Sequence, residues 1–442
     1  MSSEVAAADC LFLGIDIGTS GVRGSLIGDE REELFSYQID LEAPKIKGAR
    51  TEQNPLIWKQ ATFKVIKALQ QKLQNCSDEK TIAALAIDGT SGTVLVCDQT
   101  GTPLANALMY NDQSCLEEAA QIAEIAPADC AAHGASSSLA KAMFLLKHHP
   151  EASHLCHQAD WVAATLTGKY GISDENNCLK LGYNSLEETW PNWLNELDIG
   201  NRTLPRVLKP GSLIANINPK AASELGLTES CQIIAGTTDS IAAFIATGAN
   251  KIGDAVTSLG STLVLKIIAD KPVFAPEFGI YSHRLGEHWL AGGASNSGGC
   301  VLKKYFNQQQ LDAMTPLLKA EQKTGLDYYP LPSTGERFPR NDANLAPKLE
   351  PRPDDDVSFF QAILEGIANI EAEGYQQLSK LGAPAPQRVF TAGGGSKNSA
   401  WRQIRQTTLN TPVIIAGQTE ASYGSALLAR QGYMKTIEEN AT

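Results

Sequence analysis

Asp16-Ile-Gly-Thr-Ser-Gly-Val-Arg23 lies between the apolar run Leu11-Phe-Leu-Gly-Ile15 and the apolar pair Leu26-Ile27, and it limits the fold more than any other stretch. Apolar residues on both sides of Gly-Thr-Ser-Gly read as strand, tight turn and returning strand. The turn is then a hairpin tip with a carboxylate at its base and hydroxyl residues at its apex. Gly18 and Gly21 lack a Cβ, so their backbone N–H groups can approach a phosphate closely. Thr19 and Ser20 add hydroxyl donors, and Asp16 stands where it could hold a hydrated Mg²⁺ beside that phosphate. An ordinary turn, opened by an Asp that bonds the following N–H groups, fits the same residues.

What gives the tip weight is that its surroundings recur. The first half reads as strands over 11–17, 22–27 and 34–41, a helix over 56–73 and a buried strand over 82–88. The helix carries Ile57, Ala61, Val65, Ala68 and Leu69 at helical spacing. The buried strand ends on Asp88 and is followed by Gly89-Thr-Ser-Gly92, then a short strand over 94–97. In the second half, 255–268 reads as strand, Leu-Gly-Ser-Thr tip and strand. A helix over 359–381 follows, with Phe360, Ile363, Leu364, Ile367, Ile370 and Leu378 on one side. Strand 389–392, loop 393–398, helix 399–409 and strand 413–416 complete the set. Two halves of like order predict a duplicated α/β domain with a cleft between. The break is expected near Gly248–Gly253, giving domains 10–248 and 253–432. The proline-rich stretches 330–339 and 347–353 read as loops across the second half.

Bulk properties narrow the function classes. A chain of 442 residues is too long for one ordinary core. A net charge of −12 argues against a broad nucleic-acid or anionic-membrane footprint, since either needs basic patches. No apolar run approaches the ~18 residues that span a bilayer. Nine cysteines without a Cys-x-x-Cys pair predict reduced thiols. The first nine residues contain acids and no arginine, a poor transit peptide, so a soluble cytoplasmic chain is expected. The histidines show no metal-ligand spacing: His148 and His149 are adjacent, and His154 and His157 sit in a polar loop, so no zinc site is assigned.

The two tips, Gly236-Thr-Thr-Asp239 and Gly393-Gly-Gly-Ser-Lys-Asn398 stand in the order found in the FGGY carbohydrate kinases, of the actin-like ATPase superfamily. The chain resembles that family from about residue 11 to 429. It looks closest to the short, ribulose- or xylulose-kinase-like pentulose kinases of cyanobacteria and plants. The resemblance implies two actin-like (ribonuclease H-like) α/β ATPase domains with an interdomain catalytic cleft, and ATP and Mg²⁺ as cofactors. It makes Gly18, Thr19, Ser20 and Arg23 the first phosphate loop and Gly260, Ser261 and Thr262 the second. It matches the adenosine element to Gly393, Gly394, Gly395, Asn398 and Trp401. The stretch Pro330-Leu-Pro-Ser-Thr-Gly-Glu-Arg-Phe-Pro339 resembles a family segment and is read as cleft architecture without chemistry.

Moving a phosphoryl group to a sugar hydroxyl needs positioning, charge neutralisation and an acceptor for the hydroxyl proton. Asp239 follows a strand and turn and precedes an apolar helix start, where a carboxylate is held rigidly and its anionic form is favoured. An N-cap fits that position too; the resemblance makes Asp239 the general base. Asp16 is the metal residue. Gly260, Ser261 and Thr262 would close on the phosphates, or simply turn a hairpin. Three consecutive glycines predict that the 393–395 loop meets something closely, with Asn398 offering amide hydrogen bonds and Trp401 a flat wall for adenine. A bare strand–helix connection is the plain alternative. For the sugar, Ser91 and Thr90 offer hydroxyls or cap a turn, and Asp88 reads as bonding backbone amides below the pocket. Tyr110-Asn-Asp-Gln113 resembles the family's sugar-contacting segment, which makes Asp112 a sugar residue or else part of a surface turn. Bacterial xylulose kinases carry a Met-His-Gly-type element where this chain has Asp88-Gly-Thr-Ser-Gly-Thr93, without histidine. Lys141 and Lys180 read as helix-surface residues.

The resulting expectation is ATP-dependent phosphorylation of D-ribulose at O5, with D-xylulose second. Cleft closure would exclude water. Two rivals keep the fold: a sugar- and ATP-binding sensor without turnover, and an actin-like ATPase that hydrolyses ATP without sugar. Compactness favours a monomer; a scattering mass near twice that of one chain would contradict it.

Overall fold

The computed structural model describes residues 10–76, 80–197, 199 and 203–441; the transit-peptide reading, on residues 1–9, lies outside them. The chain forms two compact units. The first runs through Ala246 and resumes at Glu420; the second is Thr247–Thr419.

In the first unit β1 (Cys10–Ile17), β2 (Gly21–Ile27) and β3 (Glu33–Asp40) form an antiparallel meander. β4 (Thr81–Gly89) lies parallel to β1, and after β5 (Leu213–Asn216) comes β6 (Gln232–Thr238), parallel to β4. The sheet order is β5-β6-β4-β1-β2-β3. The helix α1 (Pro55–Gln74) buries Trp58, Ala61, Val65, Ile66 and Leu69 in the core of this unit. Asn54 caps it by accepting from the Leu56 amide, and Pro55 occupies a first-turn position whose missing N–H costs nothing. Helices α2 (Ser138–His148) and α3 (Asp239–Ala246) follow.

The second unit repeats the pattern. β7 (Asp254–Leu259), β8 (Leu263–Ala269) and, after the short β9 (His283–Leu285), β10 (His288–Ser295) are antiparallel neighbours. After α4 (Gly299–Tyr305) and α5 (Asp356–Lys380), β11 (Arg388–Ala392) joins β7 in parallel. Helix α6 (Ser399–Leu409) then leads to β12 (Val413–Ile415), parallel to β11. The order β9-β10-β8-β7-β11-β12 repeats the first sheet's meander followed by two parallel strands. α5 starts three residues before the expected 359, because the Asp355 carboxylate accepts the Ser358 amide and caps it there. The proline-rich stretches are irregular backbone within this unit, as expected.

Buried charge ties the second sheet to its helices. Arg405 of α6, 1% exposed, donates twice to the fully buried Glu371 of α5, at 2.6 and 2.7 Å. Arg405 also donates to Thr391 on β11, and Thr257 on β7 donates to Glu371. The Tyr375 hydroxyl completes the network against Thr257.

The last helix, α7 (Ala421–Ala441), differs from expectation. Read in chain order it falls in the second domain, to residue 432; in space it packs on β1, β4 and α3 of the first unit. Its approach needs small residues. A Cβ on Gly14 would overlap the Ser422 carbonyl and the Ala426 amide, and one on Gly424 would overlap the Ala242 carbonyl. Ser25 and Ser422 share a hydrogen bond of 2.8 Å across this contact. All nine cysteines are free thiols. Among the described residues no helix is long and apolar enough to cross a membrane.

Candidate active site

Three parallel strands of the first sheet, β1, β4 and β6, end at one edge, and each delivers a carboxylate there. Asp16 is the register partner of Asp88, and Asp88 also pairs with Thr237, two residues before Asp239. Asp88 is fully buried; its Oδ2 accepts from Ser425 of α7 at 2.5 Å and its Oδ1 has no partner. The expectation that it bonds backbone amides is therefore corrected. Burial raises the Asp16 carboxyl above its ordinary range, and the neighbouring Asp88 carboxyl pulls it back. Burial and the Asp16 charge push Asp88 up much further. Both shifts are in the direction expected of acids crowded without a counter-cation. An orphaned buried oxygen beside clustered acids fits a divalent cation. Among the described residues no three His, Cys, Asp or Glu side chains form a metal cage. Mg²⁺ needs none, since it takes one or two carboxylates and fills the rest with water and phosphate.

Asp239 opens α3 directly from the end of β6, with no intervening turn. Its Oδ1 accepts the Ser240 amide at 2.6 Å, and its charge raises both Asp16 and Asp88. Lys180, in a short turn at Leu179–Leu181, senses the same charge: burial lowers its pKa and Asp239 raises it.

The first tip is a tight hairpin in which the Gly18 amide donates to the Gly21 carbonyl at 2.9 Å. Thr19 is half-buried and Ser20 exposed. Arg23 faces Asp16 across the strand pair, but its guanidinium is engaged by Gln38 and by an ion pair to Glu420.

The residues expected at the sugar divide. Ser91 is half-buried. Thr90 is spent locally, its amide and hydroxyl both donating to Gln158. Asp112 closes a turn whose tip, Tyr110-Asn111, is exposed, its amide donating to the Met109 carbonyl; its own side chain is fully buried, accepting the Thr51 amide at 2.6 Å and both donors of Ser114. Lys141 overturns its helix-surface assignment. It is completely buried, and its Nζ donates to the Gly92 and Met109 carbonyls. Burial lowers its pKa to about 7 against the opposing pull of Asp112.

In the second unit a cavity of about 510 Å³ lies beside the second tip and the glycine loop. Gly260, Gly394, Gly395, Asn398 and Trp401 line it, joined by Lys303 and Asp312, which the sequence did not mark. Ser261 is exposed and Thr262 half-buried at the tip. The tip is tied to a second pair of glycines: the Gly299 amide donates to the Gly260 carbonyl and the Cys300 amide to that of Ser261. Glu336 braces this region by accepting from Ser295 and the Asn296 amide, giving the proline-rich segment a structural task.

Each glycine of the triplet answers to a different neighbour. Gly393, at φ +81°, stands where a Cβ would be 2.7 Å from the Leu259 carbonyl oxygen, and a Cβ on Gly395 would press on Trp401. Gly394 alone faces open space. Asn398 caps α6 by accepting the Trp401 amide, and its Nδ2 donates to Thr315, which leaves one N–H of the amide for a ligand. Trp401 is buried, its indole donating to the Leu364 carbonyl, and it forms floor more than open wall.

With this geometry in hand, relatives are informative. Over residues 11–246 the chain matches the N-terminal domain of the FGGY family of carbohydrate kinases. Over residues 255–431 it matches the C-terminal domain, which in sequence includes the start of α7. A xylulose kinase of Staphylococcus epidermidis is 24% identical over 455 residues, covering 97% of this chain and 89% of the relative. That of Escherichia coli K12 is also 24% identical, covering 89% of this chain and 84% of its own. The crystal structure of Plasmodium falciparum glycerol kinase with ADP superposes with a TM-score of 0.84 at 18% identity, over 98% of this chain and 92% of that one. The expected actin-like two-domain α/β fold is therefore present, and the chain belongs to the FGGY family of carbohydrate kinases.

Proposed function

We propose that this protein transfers the γ-phosphoryl group of ATP to the terminal hydroxyl of a ketopentose. The observation that carries the reading is the meeting of Asp16, Asp88 and Asp239 at one edge of the first sheet. Asp239 takes the hydroxyl proton, at the start of a helix whose dipole favours its anion. Asp16 is the residue that would hold Mg²⁺, which would supply neutralisation of phosphate charge there. Asp88 lies beside Asp16, its Oδ2 held by Ser425. In the second unit Gly260, Ser261 and Thr262 offer backbone and hydroxyl donors to phosphates. Gly394 leaves room for the nucleoside in the 510 Å³ cavity.

The triplet yields a paired prediction. Gly394→Leu folds normally and raises KM for ATP about tenfold, a loss of about 1.4 kcal/mol, because its side chain enters the cavity. Gly393→Ala instead costs about 1–3 kcal/mol of stability, since it forces a left-handed backbone and an overlap with Leu259. Urea unfolding and ATP titration of the two variants check the contrast.

D-ribulose is the preferred sugar in this reading, because the 88–93 loop lacks the histidine of bacterial xylulose kinases. D-xylulose is the second reading, and the names of the relatives favour it. Initial rates across D-ribulose, L-ribulose, D-xylulose, L-xylulose and glycerol decide. A D-ribulose preference is expected; a D-xylulose preference overturns the loop argument, and silence on all four ketopentoses overturns the proposal.

A further inference from the structure

A lysine is almost never fully buried without a partner, because burial penalises its charge. Lys141, on α2, is fully buried and its nearest fixed partners are carbonyls, not an acid. Its Nζ donates to Gly92 at 2.6 Å and to Met109 at 2.9 Å. Gly92 sits at φ +89° in the loop that follows Asp88, and Met109 precedes the Tyr110–Asp112 stretch. These two segments join at one other point, where the Tyr110 amide donates to the Thr93 hydroxyl at 2.9 Å. The buried Ser138 hydroxyl has no partner and lies 3.7 Å from where a Gly92 Cβ would stand, with Lys141 Nζ at 3.8 Å. The underside of the loop is thus polar beyond what the fold consumes.

We propose that Lys141 is a positioning residue for the sugar, a buried clamp that fixes the 88–93 loop against the 109–112 segment. This rests on the ketopentose reading above. An amine supplies two N–H groups in either protonation state, so both carbonyls are served whether it is charged or neutral. Asp112 draws it toward the charged form, while Lys180 repels it. A methionine of similar length would pack equally well and serve neither carbonyl.

The test uses Lys141→Met and, should that variant not fold, Lys141→Gln, which keeps two N–H donors. In Lys141→Met, KM for the preferred ketopentose rises roughly 10- to 100-fold, the scale of a lost charged hydrogen bond, while kcat and KM for ATP stay within about twofold. Lys141→Gln shows a smaller rise. A lysine kept only for stability would lower the folded fraction, and so apparent kcat, with both KM values unchanged; that result overturns the proposal. Amide hydrogen exchange in the sugar-free protein provides a second readout. The clamp predicts faster exchange over 88–93 and 109–112 in Lys141→Met, and unchanged exchange overturns it. If the wild-type protein turns over no ketopentose, the ketopentose reading fails, and the exchange result alone still decides whether Lys141 clamps the loops.

Discussion

Asp239→Asn lowers kcat by roughly 10²- to 10⁴-fold, the usual contribution of a general base. The substitution keeps the side chain's size and leaves an amide oxygen to accept the Ser240 N–H, so α3 retains its start. It removes the group that accepts the hydroxyl proton. ATP affinity, measured by calorimetry, should change less than about threefold, because the nucleoside cavity and the second tip lie in the other unit. Retention of wild-type turnover would remove Asp239 from the base role and leave it as a cap.

The second large effect is on stability. Arg405→Met leaves the carboxylate of Glu371 buried with only Thr257 to bond it, at a cost of about 3–5 kcal/mol. The loss reaches beyond one pair, since Arg405 and Glu371 connect α5, α6, β7 and β11. β7 carries the second tip and β11 leads into the glycine loop, so ATP binding should weaken along with stability. Adding Glu371→Leu to Arg405→Met should recover most of the lost stability, because two apolar side chains replace an uncompensated charge. Urea unfolding of the single and double variants measures this. A loss under about 1 kcal/mol in the single variant would mean that water reaches the Glu371 carboxylate.

Local pattern carried most of the fold. β1, β2, β4 and β11 lie within one or two residues of their expected bounds, because apolar runs broken by glycine-rich turns leave few other arrangements. The repeated order of tips and helices likewise foretold the matching sheets. What escaped was set by tertiary contact. The sequence offers no apolar stripe to mark α7 as a core helix of the first unit, since its approach to β1 depends on Ser422, Ser425 and Ala426 meeting Gly14. Lys141 looks like any lysine on an amphipathic helix until two distant carbonyls are placed beside it. Asn398 and Trp401 line the cavity, with the Asn398 oxygen and the Trp401 indole N–H engaged by the fold. Only their hydrogen bonds tell a cap from a ligand contact. Asp16, Asp88 and Asp239 are separated by 72 and 151 positions in the chain, and only the parallel register shows that they form one cluster.

Phosphoryl transfer to a sugar is followed by the ³¹P signals of ATP with Mg²⁺, with and without D-ribulose or D-xylulose. ADP and a sugar phosphate are expected in equal amounts, and only when the ketopentose is present. ADP and free phosphate appearing at the same rate without sugar would contradict that transfer and mark the protein as an ATPase.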